Sequence, residues 1–245
     1  GRYALDQIRQ LIFNDKFKDA HKLIDDNFNT PQNGMRYLPL GNLKLNFKYQ
    51  AEAASYYRDL NLENATTTVR YKVGDVEYTR TAFASMTDNV IVMRIEASKK
   101  GTLSFNLGYD CPAELKPVIS VKGNQLTMRC EGVEHEQVPA ALNAECRIVV
   151  KADGKVTPAG EKNAASSIDI NRATVATIYI IGATNFVNYH DVSGNASKRC
   201  ETMMKAALKK SYDKLLADHI DKYCEQFDRV HLDIPATKAS EAETD

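Results

Sequence analysis

At 245 residues the chain is long enough for one large domain with a full hydrophobic core. Hydrophobic residues make up 43% and charged residues 26%, an ordinary globular composition that excludes global disorder. The 32 basic side chains balance 32 acidic ones, so no net field draws the chain to nucleic acid or an anionic membrane, whereas a neutral ligand such as a sugar is compatible.

From Ala4 to Phe28, Leu5, Ile8, Leu11 and Ile12, then Phe17, Ala20, Leu23, Ile24 and Phe28 recur at three- and four-residue spacing, which predicts two helices broken near Asn14-Asp15. Asn29 to Gly34 is polar and carries Pro31 and Gly34, so a loop is expected there. Strands are then expected from Leu38 onward, the first with Leu43, Leu45 and Phe47 on one face.

Between Thr66 and Val73, Thr67, Val69, Tyr71 and Val73 alternate with Thr66, Thr68, Arg70 and Lys72, the period of a half-buried strand. Gly74-Asp75 lies between two valines and predicts a tight hairpin whose glycine takes a positive φ. The returning strand alternates Val76, Tyr78 and Arg80 with Glu77, Thr79 and Thr81. Val90 to Ile95 is apolar at nearly every position, so both of its faces are expected to be buried. Further strands are predicted around Leu103 to Leu107, Val118 to Val121, Leu126 to Cys130, Cys146 to Val150, Ile168 to Ile170 and Thr174 to Ile181. Short strands joined by glycine- and asparagine-bearing turns, with no helices between them, predict a mainly β fold, a large antiparallel two-sheet β-sandwich (supersandwich).

After Phe186 the pattern changes. Val187 to Gly194 is a polar loop, and Ala196 to Phe227 reads as helical throughout, with Tyr212, Leu215, Leu216, His219, Ile220, Tyr223 and Phe227 on one stripe. The expected organisation is an N-terminal helical segment over 1–34 belonging to the same domain as the sandwich, the sandwich over 35–192, helices over 193–234, and a small polar tail over 235–245.

The five cysteines, Cys111, Cys130, Cys146, Cys200 and Cys224, form no C-x-x-C pair and read as small buried residues rather than disulfides or zinc ligands. No cofactor is expected, since Walker-type and dinucleotide glycine loops and a G-x-S-x-G elbow are all missing from the sequence. No apolar run approaches the roughly 20 residues that span a bilayer. Beginning at Gly1 without methionine, the sequence reads as a trimmed piece whose export signal, if it had one, is gone.

Sugar hydrolysis generally needs two carboxyl or equivalent groups flanking one bond. Asp110, Glu114, Glu131, Glu134, Glu136 and Asp191 fall in expected loops, where carboxylates are usually solvated. Glu134-His135-Glu136 has metal-capable ligand types, but neighbours on an extended strand point to opposite sides, and it reads as a charged loop. His190-Asp191 lies between the last long strand and the helices, where a sandwich docked to a second domain can lend residues to a cleft; a turn followed by a helix cap at Ser193, Gly194 and Asn195 is the competing reading. His219 lies on its helix's apolar stripe and reads as a packing residue. Asn64-Ala65-Thr66 and Asn195-Ala196-Ser197 fit the glycosylation acceptor pattern.

Several strings carry a family resemblance: Tyr57-Arg58-Asp59-Leu60-Asn61-Leu62, Thr68-Val69-Arg70-Tyr71, Tyr78-Thr79-Arg80-Thr81-Ala82-Phe83-Ala84-Ser85 and Asp88-Asn89-Val90-Ile91-Val92. With Tyr37 to Phe47 and Tyr212 to His219, they resemble the N-terminal domain of glycoside hydrolase family 95, the α-L-fucosidases and close relatives. The resemblance implies a domain that supports an (α/α)6 catalytic barrel lying beyond Asp245, with 193–234 as the linker to it. The barrel and a fucosylated glycan would then be the partners. The parent enzyme would cleave terminal α-linked L-fucose with inversion, using a glutamic acid and an asparagine activated by an aspartate, all on the barrel. No catalytic residue maps onto this chain; His190 and Asp191 are the candidate substrate-binding residues. Asn42 could stand near a sugar, though its place after Pro39 and Gly41 favours a plain strand start. The resemblance also implies a periplasmic or extracellular location. A self-standing carbohydrate-binding sandwich and a pure interaction scaffold are the alternatives; the long amphipathic helical stretch after the last strand favours the first reading.

Overall fold

A computed structural model of the chain describes residues 2–28, 37, 39–49, 51–135, 139–161 and 164–232. The expectations for the loop at Pro31 and Gly34, the strand start at Leu38, Glu136 and the tail over 235–245 lie outside these residues. The chain divides into two compact units, one spanning 1–39 with 135–138 and the other 40–134 with 139–245.

In the smaller unit, α1 (Leu5–Phe13) and α2 (Phe17–Phe28) pack as a helical pair around Ala4, Ile8 and Ala20, with Leu11, Leu23 and Ile24 against them. The break falls where expected: Asp15 takes a left-handed φ of 58°, which ends the first helix. Part of the predicted stripe is not used, since Ile12 and Phe17 are exposed.

The larger unit is a β-sandwich. Its strands are β1 (Asn42–Phe47), β2 (Ala53–Asn61), β3 (Thr66–Val73), β4 (Val76–Ser85), β5 (Val90–Ala97), β6 (Leu103–Asp110), β7 (Val118–Lys122), β8 (Gln125–Glu131), β9 (Asn143–Ala152), β10 (Lys155–Glu161), β11 (Ala164–Ala173) and β12 (Val175–Thr184). Among the described residues they form two antiparallel sheets, of order β1-β6-β11-β10 and β2-β3-β4-β5-β12-β9-β8-β7. The β3–β4 hairpin closes with Val73 opposite Val76, and Gly74 has the positive φ, 60°, that the turn requires. Gly41 starts β1: a Cβ there would lie 2.5 Å from the Asp110 carbonyl and from the Tyr109 ring, so Asn42 is the first residue of a strand whose approach admits only glycine.

The helical stretch after β12 is two helices, not the continuous one expected. These are α3 (Ala196–Ala207) and α4 (Tyr212–Phe227). Ser211 takes an extended conformation and its hydroxyl accepts from the Lys214 amide at 3.1 Å, an N-cap that restarts the helix. Lys210, at the break, pairs with Asp88 at 2.7 Å and Asp218 at 2.8 Å, pinning the corner to the β4–β5 turn. Both helices lie on the eight-stranded sheet, where Cys200, Met204, Ala207 and Leu215 pack on Phe83, Val90, Val92, Val149, Tyr179 and Ile181. Tyr212 and Leu216 join the same cluster, and the Tyr223 hydroxyl donates to the Leu62 carbonyl at 2.6 Å, so this part of the expected stripe is the packing face.

Alternation then assigns the other face of that sheet. Tyr179 and Ile181 meet the helices, so Ala176 and Ile178 point the opposite way, as do Ile148 and Val150. All four are sealed, together with Leu103, Phe105 and Leu107 of β6 and Ile168 and Ile170 of β11. This is the core between the sheets, and β11 lies across β7 and β8. β5 is therefore covered on both faces at Val92 and Ile95; the expectation fails at Ile91, which is 46% exposed beyond the reach of either layer.

Candidate functional site

β12 ends at Thr184, and the loop that follows is tied down from its base. Asn185 is buried; its side-chain oxygen accepts from the Asn143 amide at 2.8 Å, and its amide nitrogen donates to the Ala141 and Val192 carbonyls at 3.0 and 2.7 Å. Arg199, projecting from α3, donates to the Thr184 and Phe186 carbonyls, both at 2.7 Å. Gly194 closes the loop: its amide donates to the Asn185 carbonyl at 2.9 Å, and a Cβ there would lie 2.6 Å from that same oxygen.

The loop's tip is a miniature hairpin. Asn188 and Asp191 exchange backbone hydrogen bonds of 3.1 and 3.0 Å, and the Asn188 side chain accepts from the His190 amide at 2.9 Å. The Asp191 carboxylate accepts from the Ser193 amide at 2.8 Å, and Ser193 holds its carboxyl below the usual carboxylate range. The His190 ring lies against that of Tyr189, with the two planes tilted by 42°, and Tyr189 itself is 85% exposed. His190 and Asp191 thus have separate partners: Asp191 shapes the turn, while His190 and Tyr189 form an outward-facing aromatic pair. The capping alternative is realised at Asn195, whose side chain accepts from the Lys198 amide at 2.8 Å.

Two depressions meet at Gly194 and Asn195. One, of about 540 Å³, is lined by Lys116, Arg129, Cys130, Glu131, Glu145 and Ser197 among others. The second, of about 470 Å³, is bounded by Lys198, Arg199, Thr202 and Met203. In the first, Glu145 is almost wholly buried between two arginines, accepting from Arg129 Nε at 2.7 Å and from Arg147 Nε. Burial pushes its carboxyl up, but the hydrogen bonds from Arg129, Arg147 and Ser197 outweigh it and hold the group low. Arg147 also donates to the Ser197 carbonyl at 3.2 Å and hydroxyl at 3.0 Å, fastening the start of α3 to β9. A carboxylate held ionised in this way is an anchor and has no proton to donate to a leaving group.

Of the carboxylates expected in loops, two instead end strands: Glu131 closes β8 and lines the larger cleft, and Asp110 closes β6 and pairs with Lys44 at 3.6 Å, while Asp191 is bound to Ser193. Sequence reasoning missed Glu145, Arg129 and Arg147. The available signal was a charged pair two residues apart, and so on one face, in the otherwise apolar run from Ala144 to Val150. His219 is a packing residue as expected: buried, stacked on Phe83 at 5.0 Å, with Nε2 3.1 Å from the Ala65 carbonyl. Among the described residues no group of three or more His, Cys, Asp or Glu side chains is arranged to hold a metal ion. The five cysteines are unpaired thiols. No helix among the described residues is long and apolar enough to cross a membrane.

Residues 1–189 match a family model described as "Glycosyl hydrolase family 65, N-terminal domain". The chain is 30% identical over 234 residues to "Alpha-L-fucosidase 2" of Arabidopsis thaliana, covering 84% of this chain and 27% of that protein. It is 25% identical over 250 residues to "Probable alpha-fucosidase A" of Aspergillus niger, covering 97% of this chain and 30% of that protein. The chain therefore spans less than a third of the length of these relatives. Among solved structures, "Putative kojibiose phosphorylase from human microbiome" superposes with a TM-score of 0.50 at 13% identity, covering 76% of this chain and 28% of that one, a likeness of fold alone.

Proposed function

Because this chain belongs to the family described as the N-terminal domain of glycosyl hydrolase family 65, we propose that it is the non-catalytic sandwich of a larger α-L-fucosidase. The observation that carries this reading is coverage: nearly the whole chain aligns with 30% or less of two proteins named as fucosidases. Through the resemblance to family 95, the reacting groups would sit on a helical barrel joined through α3 and α4, and terminal α-linked L-fucose would be released with inversion. The remaining polypeptide is the partner and a fucosylated glycan the substrate. A periplasmic or extracellular location belongs to the same reading.

The site geometry supports a supporting role. Glu145 is locked ionised between arginines and Asp191 is committed to its own turn, whereas hydrolysis needs two groups free to act across one bond. His190 and Asp191 are the residues we propose to meet substrate, with Asp191 setting the turn that presents His190 and Tyr189. An exposed aromatic ring on a hydrogen-bonded turn offers a flat apolar face to a sugar.

The experiment compares the purified 245-residue chain with the full-length enzyme on an aryl α-L-fucoside, and titrates each with fucose and a fucosylated oligosaccharide by calorimetry. The chain is expected to be silent and to bind at millimolar strength or weaker, because an open surface buries too little of a monosaccharide to offset the freedom lost. Turnover that follows the chain through purification would refute the non-catalytic assignment. Micromolar binding would make it a carbohydrate-binding module.

A further inference from the structure

We propose that the cleft of about 540 Å³ beside the start of α3 is a second carbohydrate site, one that takes the carboxylate of an acidic sugar, a uronic acid residue, on Arg129 and Lys116. The fucosidase reading assigns nothing to this cleft, and the binding holds or fails without it. In size the cleft falls among small-ligand sites, which span about 300–1,000 Å³.

Its cationic lining is built by the sheet. Arg129 on β8 and Glu145 on β9 are cross-strand partners, and Arg129 Nε donates to one carboxylate oxygen of Glu145 at 2.7 Å. Arg147 takes the other oxygen and is itself fastened to Ser197, so Glu145 is balanced twice over. Arg129 is thereby oriented at one edge of its guanidinium while its side chain stays 61% exposed. Among the described residues its two Nη atoms have no hydrogen-bond partner, which leaves that side of the fork to a ligand. Lys116 lines the same cleft, on a left-handed backbone with φ of 47° that is unfavourable for a lysine.

The charge is local. The chain is neutral overall, yet with Glu145 balanced by Arg147 the cleft sets Arg129 and Lys116 against Glu131 alone, and the adjoining depression adds Lys198 and Arg199 with no acid in its lining. Such a field draws an anion. The rest of the lining selects which one. Glu131 repels a ligand carrying several phosphates, and the lining has no aromatic ring on which a base could stack. A sugar with one carboxylate uses both kinds of group. The planar guanidinium matches the carboxylate, Asn143, Ser197 and Glu131 meet hydroxyls, and Val118, 65% exposed, faces the apolar side of the ring.

The test titrates the purified 245-residue chain and the full-length enzyme with glucuronic acid, glucose and acetate at neutral pH and low ionic strength, read by ligand-observed NMR. Glucuronate is expected to bind about tenfold or more tighter than glucose, which lacks the charge, and than acetate, which lacks the ring, and to weaken as salt is raised. Lys116→Ala and Arg129→Lys should each weaken it about fivefold or more, the second because a lysine keeps the charge but loses the fork. Lys122→Ala, at the far end of β7, should bind like the unaltered protein. Melting temperatures confirm that each variant is folded, and Arg129→Lys keeps a cation beside Glu145. Equal affinity for glucuronate and glucose, binding that survives both cleft variants, acetate or inorganic phosphate binding as tightly as glucuronate, or binding lost in the full-length enzyme would each overturn the proposal. Hydrolysis is not read in any of these titrations, so they answer separately from the fucosidase assay.

Discussion

Two aromatic-bearing segments follow β12, and they are used in opposite ways. On α4, Tyr212 and His219 lie against Phe83, and Tyr223 reaches the Leu62 carbonyl, so its aromatic side chains cover a sheet. On the loop over 186–192, Phe186, Tyr189 and Val192 are exposed although the backbone beneath them is well hydrogen-bonded. Both backbones are satisfied; the difference lies in where the apolar surface goes. In one case its burial stabilises the fold. In the other a firm base holds apolar surface in solvent, an arrangement that suits contact with something outside the described residues.

Variants can break or sharpen that contrast. The largest effects belong to sealed positions: Phe105→Ala should cost about 4 kcal/mol and Leu215→Ala about 3 kcal/mol by denaturant unfolding, each combining lost burial with a cavity. An unchanged midpoint for Leu215→Ala would mean that α4 does not stabilise the sheet it covers. Glu145→Gln should cost about 2 kcal/mol, since it leaves the largely buried Arg147 guanidinium facing a neutral amide, while Arg129, 61% exposed, keeps its water.

The same residue sets an acid dependence. Because the folded-state carboxyl is held below its ordinary value of 4.5, its contribution is fully present above that pH and is lost as pH falls through the lower folded value. Glu145→Gln should therefore flatten the acid limb of stability against pH. An identical limb in both proteins would assign acid sensitivity elsewhere, with Asp88 the next candidate.

At the loop's base, Gly194→Ala should cost about 2 kcal/mol, because its Cβ would crowd the Asn185 carbonyl and the Arg199 guanidinium. The smallest stability effect belongs to the tip. The paired changes His190→Ala and Asp191→Ala, and separately Tyr189→Ala, should leave the melting temperature unchanged while lowering kcat/KM of the full-length enzyme on fucosides. Wild-type kinetics in both would leave the loop a plain connector; a large fall in melting temperature would make it part of the fold.

The sequence by itself determined the helical pair at its N-terminus, the strands of the sandwich other than β2 and β10, and the packing stripe of α4. Each of these depends on local periodicity and on residues such as Gly74, whose backbone freedom is a property of the residue alone. It also placed His190 and Asp191 on a loop and Asn195 at a helix start. Tertiary structure decided what spacing along a chain does not encode. The break at Lys210-Ser211 is pinned by Asp88, more than a hundred residues earlier, and the apolar pattern on either side of it reads as continuous. Glu145 becomes an anchor because β8 supplies Arg129 beside it and α3 supplies Ser197 to Arg147. Local propensity acts over a few residues, whereas ion pairs and the exposure of a loop tip depend on which distant strands become neighbours.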